Sequence, residues 1–271
     1  MLEKELLVVK ISGSGDVDLG LIYRDVTELT RQGYSLIVVH GGSDRANQLC
    51  EQMGHPPRFL HSPSGHISRY TDKRTRDLYV QATTELNTEI TTGLQQQGVM
   101  AIGLAGRNQS VISGERKPAL RAVHNGRVRV VRDDYSGRIT AVDTDRLHRV
   151  LVSGMVPVIP PVAFSYTDGL LNVDGDRAAA AIAGALGADQ LILLSNVPGL
   201  LRRFPEENSL IDRVPREGLD QALQWAQGRM KRKVLSVQEA LEGGVMKAVV
   251  ADGRLSQPLH RALAGGGTSF G

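Results

Sequence analysis

The sequence predicts an α/β fold with a mainly parallel sheet covered by helices on both faces. Apolar runs bounded by turn residues recur along the chain, and segments of helical periodicity lie between most of them. Glycine-rich turns follow the first two runs, as expected where strands feed into helices. The predicted strands are Leu6–Ile11, Leu36–Val39, Val99–Leu104, Val156–Ile159, Gln190–Leu194 and Ala248–Ala251. The predicted helices are Leu19–Arg31, Asp44–Met53, Thr71–Gln96, Asp143–Leu151, Asp176–Leu186, Met230–Glu242 and Pro258–Ala264. Asp44 is placed to cap the second helix. Asp176 opens an alanine-rich helix after an Asp174-Gly175 turn, and side chains that small suit a helix buried close to strands.

Two stretches break the alternation. Ala122–Ala141 alternates Val with Arg around Asn125-Gly126, and Phe164–Val173 carries Asp168-Gly169 in its middle; both read as antiparallel hairpins. There is no internal repeat, linker or low-complexity tract, so residues 1–271 read as a single domain.

Composition narrows the function classes. Hydrophobic residues make up 41% and charged residues 23%, ordinary values for a globular protein. Aromatics at 4% are too scarce for a surface that stacks nucleic-acid bases. The single cysteine, Cys50, excludes an internal disulfide and a cysteine-rich zinc site, and its neighbours Leu49 and Met53 suggest a buried thiol. Met1–Glu5 leads straight into a strand, without the pattern of a signal segment. No apolar run reaches the roughly 18–20 residues of a membrane span. A cytoplasmic protein that binds neither membrane nor nucleic acid is expected.

The chemistry is concentrated in six places. Lys10 ends a strand that should be central, and an unpaired buried lysine costs several kcal/mol, so an anion must lie beside it. A carboxylate such as Asp176 would satisfy it structurally. A transferring phosphate, with Asp176 holding the lysine, would satisfy it functionally. The second reading is favoured because Gly13 and Gly15 follow at once and can present backbone amides. His40-Gly41-Gly42-Ser43 ends the next strand at a helix start, where amides and the helix dipole favour an anion. Arg69 precedes a helix and can grip a carboxylate with both arms of its fork. The segment Asn172–Asp176 places an amide and two carboxylates at a strand–helix junction, and Ser195–Gly199 carries a strand into a proline–glycine loop suited to the edge of a nucleotide pocket. Lys231 and Lys233 lie two apart on the last long helix, so only one can enter a site. Lys233 adjoins Val234 and Leu235 and is the candidate, while Lys231 and Arg232 read as exposed. Two lysines and bare amides without an obvious nucleophile point to phosphoryl transfer.

The ordered set Lys10 with Gly13, His40-Gly41-Gly42, Arg69 with Thr71-Asp72, Asn172 to Asp176, Ser195 to Gly199 and Gly228 to Lys233 resembles the amino-acid kinase superfamily. Within it, the pattern is similar to N-acetylglutamate kinases over essentially the whole chain. Residues 54–60, 68–72, 196–201 and 228–234 are closer still to the branch that phosphorylates 2-aminoadipate on an amino-group carrier protein. The resemblance implies an open αβα sandwich with a substrate-binding and dimerisation lobe over 1–170, a nucleotide lobe over 171–271, and a homodimer. It implies MgATP as co-substrate, no tightly bound cofactor and no protein-held metal. Lys10 and Lys233 would stabilise the transferring phosphoryl group and Asp176 would organise them. Gly13, Gly41, Ser195 and Gly199 would serve the nucleotide and its phosphates. Gly42, Ser43, Arg69 and Asn172 would hold the substrate. Ser12 and Ser43 stand where glycines are usual, and Thr88 where lysine is common.

An acidic carrier would need a basic surface. Residues 116–138 hold seven Lys or Arg against Asp133 and Asp134, a local +5 that exceeds the +3 of the whole chain. A solvated hairpin would look the same. An N-acetylglutamate kinase of arginine biosynthesis would share the fold and chemistry, and a non-catalytic sensor would have no need of both lysines and Asp176.

Overall fold

In a computed structural model the chain is described over residues 4–271, apart from Ser14, Ser64, His66 and Asn125. Asn125 of the predicted turn and Met1–Glu3 therefore lie outside the described residues. The centre is an eight-stranded sheet. Its spatial order is Arg213–Val214, Thr268–Phe270, Lys247–Asp252, Gln190–Ser195, Leu6–Ile11, Ser35–His40, Val156–Ile159 and Ala101–Gly103. Every neighbouring pair is parallel except Lys247–Asp252 with Thr268–Phe270. All six predicted strands are in it, and Leu6–Ile11 lies between strands from the two halves of the chain. The predicted helices form within one to two residues of their expected bounds.

The period of two along each strand sorts side chains into two cores. Leu7, Val9, Ile11, Leu36 and Val38 face the core beneath Leu19–Arg31, Lys73–Gln96 and Pro258–Leu263. Val8, Ile37, Val39, Leu191 and Leu193 face the other, under Gly175–Leu186 and Gly228–Glu242. Lys10, two residues after Val8, falls on this second face. His40, two after Val38, falls on the first.

The helix Gly175–Leu186 is buried through Ala178, Ala179, Ala180 and Ala183. Small side chains let it approach closely: a Cβ on Gly184 would stand 3.3 Å from the Cα of Gly243 at the end of the neighbouring helix.

Other elements depart from expectation. Ala122–Ala141 is not one hairpin. Leu120–His124 and Arg127–Val131 form a separate two-stranded ribbon, whereas Gly137–Val142 pairs with Ile112–Arg116 in a four-stranded sheet. The chain breaks between them because Asp134 is buried against Thr71. Val162–Ser165 and Gly169–Asn172 make the second predicted hairpin in that same sheet. Asp44 does not cap its helix; the cap is Gly42, and the Asp44 carboxylate instead accepts Gly15 N–H at 2.7 Å. The long third helix starts at Lys73 because Asp72, in extended backbone, caps it through Thr75 N–H. The hairpin Phe59–His61 with Ile67–Arg69 and the helix Leu219–Trp225 had no periodic signal long enough to read. Cys50 is fully buried as expected, and burial pushes its thiol up. No helix among the described residues is long and apolar enough to cross a membrane.

Candidate active site

The parallel strands Leu6–Ile11, Ser35–His40 and Gln190–Ser195 end on one edge of the sheet, where ligands of open α/β sheets bind. At that edge Lys10 Nζ lies 2.7 Å from Asp176 Oδ1. Lys233 Nζ, from the helix Gly228–Glu242, lies 3.1 Å from Oδ2 and 3.2 Å from Oδ1 of the same carboxylate. All three residues are buried. Asp174 caps the alanine-rich helix with Oδ1 on the N–H groups of Asp176 and Arg177, which fixes Asp176 in the first turn. Burial alone would raise the Asp176 carboxyl, but the charges and hydrogen bonds of Lys10 and Lys233 hold it well below the usual carboxylate range. Burial pulls the Lys233 ammonium below its ordinary value; Asp176 opposes that and Lys10 adds to it. Two ammonium groups on one carboxylate leave an excess positive charge in a desolvated site. That excess attracts a compact anion far more strongly than it would in water.

The glycine turns are pressed together. A Cβ on Gly13 would fall 2.4 Å from Gly42 N, one on Gly41 2.3 Å from Gly13 N, and one on Gly42 2.5 Å from Thr83 Cγ2. Backbone excludes a side chain at Gly13 and Gly41, and the Thr83 methyl crowds one at Gly42. His40 sets the direction of the second turn. Its Nδ1 donates to the Gly41 carbonyl at 2.6 Å, and its Nε2 accepts from Asn87 Nδ2 at 3.1 Å, which makes the ring neutral with its proton on Nδ1. Burial lowers its pKa to about 4, and Lys10 adds to the lowering against the Gly41 carbonyl. Holding the Gly41 carbonyl toward His40 sends the N–H of the same peptide, that of Gly42, the opposite way.

Arg69 is buried beside this turn. Its Nη2 donates to the Ser43 carbonyl at 3.1 Å, and its guanidinium lies over Phe59 and Tyr79. Among the described residues Arg69 Nη1 is buried without a hydrogen-bond partner, the kind of orphan donor that marks a place for an acceptor. Asn172 ends its strand with Nδ2 donating to Thr71 Oγ1 at 3.1 Å.

The predicted residues thus gather as Lys10, Asp176 and Lys233, as Gly13, Gly41 and Gly42, and as Arg69 with Ser43. Ser195 sits two residues beyond Leu193, the register partner of Lys10, and its carbonyl accepts Gly253 N–H at 2.7 Å. Gly199 has a packing reason of its own, since a Cβ there would stand 2.6 Å from Thr268 Oγ1. Lys231 is exposed as expected. Arg232 is only half-exposed, with Nη1 3.6 Å from Asp174 Oδ2. Asn87 and Asp134 carry no local pattern and are not among the predicted site residues; Thr71 stands in the motif with Arg69 and Asp72 but has no predicted role.

An open parallel sheet with paired lysines on a carboxylate and two glycine turns at its carboxyl edge defines a phosphate-handling α/β protein. The model of the amino acid kinase family matches residues 5–252, and the chain belongs to that family. It is 44% identical to a LysW-aminoadipate kinase of Deinococcus radiodurans over 97% of this chain and 90% of that one. It is 42% identical to a LysW-aminoadipate kinase of Thermus thermophilus, over 97% of this chain and 99% of that one. Among solved structures it resembles N-acetylglutamate synthase from Neisseria gonorrhoeae, complexed with coenzyme A and N-acetyl-glutamate, with a TM-score of 0.79 and 25% identity. That match covers 98% of this chain and 59% of the synthase, so the chain spans about three fifths of that protein.

Proposed function

We propose that this protein is an ATP-dependent kinase that phosphorylates the side-chain carboxylate of L-2-aminoadipate carried on an acidic amino-group carrier protein, in lysine biosynthesis through α-aminoadipate. The shorter carrier-linked glutamate is the competing acceptor. The observation that carries the reading is the pair Lys10 and Lys233 resting on Asp176 beside the two interlocked glycine turns, in a chain so similar to LysW-aminoadipate kinases.

A carboxylate oxygen of the substrate attacks the γ-phosphorus of MgATP, and the bond from that phosphorus to the β–γ bridging oxygen breaks. ADP leaves with the electron pair and an acyl phosphate forms. The attacking carboxylate is already ionised, so no base has to take a proton, which suits a site without an obvious nucleophile or base. Lys10 and Lys233 neutralise charge on the transferring group and Asp176 keeps them in register. The amides of Gly13 and Gly42 add donors to its oxygens. Gly41 provides the close approach, and Ser195 and Gly199 border the nucleotide. The buried excess charge and the bare-backbone cradle fit a polyphosphate, and magnesium arrives on the nucleotide's phosphates. Arg69, through its orphan Nη1, and Asn172, with Gly42 and Ser43, hold the substrate's α-carboxylate and adjoining amide. Residues 1–170 are assigned as the substrate and dimerisation lobe and 171–271 as the nucleotide lobe, of a cytoplasmic homodimer.

For the carrier, the ribbon Leu120–Val131 offers the surface. Its cross-strand pairs put Arg127 and Arg129 on one face, and Val123, Val128 and Val130 on the other; all five are exposed. A groove of about 570 Å³ runs beside it, lined by Phe59, Leu60, Tyr70, Val130 and Arg132 among others. Two of the seven basic residues are engaged elsewhere: Arg116 pairs with Asp168, and Arg138 with Glu115. An ATP-consumption assay tests the reading. ADP should form with carrier-linked aminoadipate and not with free N-acetylglutamate; the reverse result would replace it with the arginine-pathway enzyme.

A further inference from the structure

Between the basic ribbon and the four-stranded sheet, the chain passes through Asp133 to Ser136, and there it does something the proposed chemistry does not by itself require. Asp134 is 1% exposed, with both carboxylate oxygens committed to backbone. Its Oδ2 accepts Thr71 N–H at 2.8 Å and its Oδ1 accepts Ser136 N–H at 2.7 Å. Thr71 is fully buried two residues beyond Arg69, and its hydroxyl donates to the Arg69 carbonyl at 3.2 Å while accepting from Asn172 Nδ2. Tyr135 N–H donates to the Thr71 carbonyl at 2.6 Å, and the Tyr135 carbonyl accepts Asn172 N–H at 3.1 Å. The Tyr135 ring is itself held between the guanidinium groups of Arg76 and Arg116, at 4.6 and 4.3 Å.

These bonds close a ring from Thr71 through Asp134 and Tyr135 to Asn172 and back. Arg69 and Asn172 lie far apart in sequence and on different sheets, and the Thr71 hydroxyl bonds to both. Their separation is set through Thr71. A buried carboxylate is a costly way to hold two amides, because its charge must be desolvated; it persists where the geometry it fixes matters.

We infer that Asp134 is a positioning residue for substrate recognition: through Thr71 it fixes the spacing of Arg69 and Asn172, and it ties that pair to the base of the ribbon that docks the carrier. The inference rests on the reading of Arg69 and Asn172 as substrate-holding groups. It places Asp134 on the acceptor side only, away from the lysines and the nucleotide.

The test is steady-state kinetics with carrier-linked aminoadipate and ATP for the wild type and for Asp134→Asn, Thr71→Val and Thr71→Ser. Asp134→Asn presents an NH2 to one of the two amides. It should raise KM for the carrier-linked substrate about tenfold or more while KM for ATP and kcat at saturation stay within about twofold. Thr71→Val, which replaces the hydroxyl with a methyl of similar size, should show the same split, and Thr71→Ser, which keeps the hydroxyl, should restore wild-type KM. Parallel loss of kcat and of ATP affinity, or unchanged KM in Asp134→Asn, overturns the inference and leaves the kinase reading standing. If Asp134→Asn does not fold, the Thr71 pair decides by the same criterion. A wild type inactive on carrier-linked aminoadipate overturns both.

Discussion

Lys10 and Lys233 lie at opposite ends of the chain, yet their ammonium groups share one carboxylate, Asp176, at 2.7 and 3.1 Å. Neither lysine could be buried alone at tolerable cost, and one aspartate cannot neutralise both. The arrangement therefore leaves a net positive charge that a bound anion would balance. Because Leu6–Ile11 sits where strands from the two halves of the chain meet, Lys10 approaches the carboxylate from the sheet and Lys233 from the covering helix.

If both lysines neutralise charge that develops in the transition state, Lys10→Ala and Lys233→Ala should each lower kcat by roughly 10²-fold or more. Lys231→Ala, altering an exposed residue on the same helix, should change it little. Equal, small effects at all three positions in a turnover assay would remove the lysines from the chemistry.

The glycine turns make a steric prediction. A methyl at Gly13 would meet backbone atoms of Gly41 and Gly42 at 2.4–3.0 Å, and backbone cannot rotate away as a side chain can. Gly13→Ala should destabilise the fold by about 1–3 kcal/mol in denaturant titrations. It should also cut kcat, since displacing Gly42 moves its amide. A variant with wild-type stability and turnover would show that the turns are looser than they stand.

How much of this was legible in the sequence depends on how local each signal was. Lys10 could be read because the strand, the lysine and the glycines are consecutive, and Asp174 and Asp176 because a cap and a first turn are neighbours in the chain. Lys233 was separable from Lys231 by the apolar residues that follow it. Asp134 could not be read: its partner Thr71 is 63 residues away, and an Asp after a basic hairpin looks like solvated surface. The same pair explains why Ala122–Ala141 is not one hairpin: the alternation of Val and Arg ends by Arg132, and the long-range contact at Asp134 turns the chain before Gly137–Val142 begins. Asp44 was misread for a related reason. Its local position suits a cap, but the amide it takes belongs to Gly15 in another turn.

Substrate reading can be separated from nucleotide binding at Arg69. Arg69→Lys keeps the charge but loses the planar fork that donates to Ser43 and leaves Nη1 for a ligand. KM for the amino-acid substrate should rise while KM for ATP changes little. If ATP binding suffered instead, Arg69 would belong to the phosphate site.

His40 gives the fold a pH signature. Buried and neutral, it has a pKa near 4 against about 6.5 in an unfolded chain. Above pH 6.5 neither state binds the proton; between 6.5 and 4 the unfolded state binds it and the folded state does not. Stability should therefore fall as pH drops through that window, by about 3 kcal/mol in total. His40→Gln should have a flatter stability profile there. Parallel profiles for wild type and variant in chemical denaturation would mean that His40 is not held neutral.

Carrier docking makes the remaining prediction, and salt is the variable that isolates it. Arg127 and Arg129 stand exposed on one face of the ribbon, and neither takes part in the lysine–aspartate cluster or the glycine turns. Attraction between that face and an acidic carrier should speed encounter and weaken as ionic strength rises, because exposed charges are screened over about 10 Å at 0.1 M salt. Reversing both residues to glutamate should raise KM for carrier-linked aminoadipate and flatten its dependence on salt. Turnover at saturation should hardly change, since the altered side chains do not touch the reacting groups. KM measured for both proteins across a salt series decides the matter. A double variant with wild-type carrier kinetics at every ionic strength would show that the ribbon is an ordinary solvated excursion and that the carrier docks elsewhere.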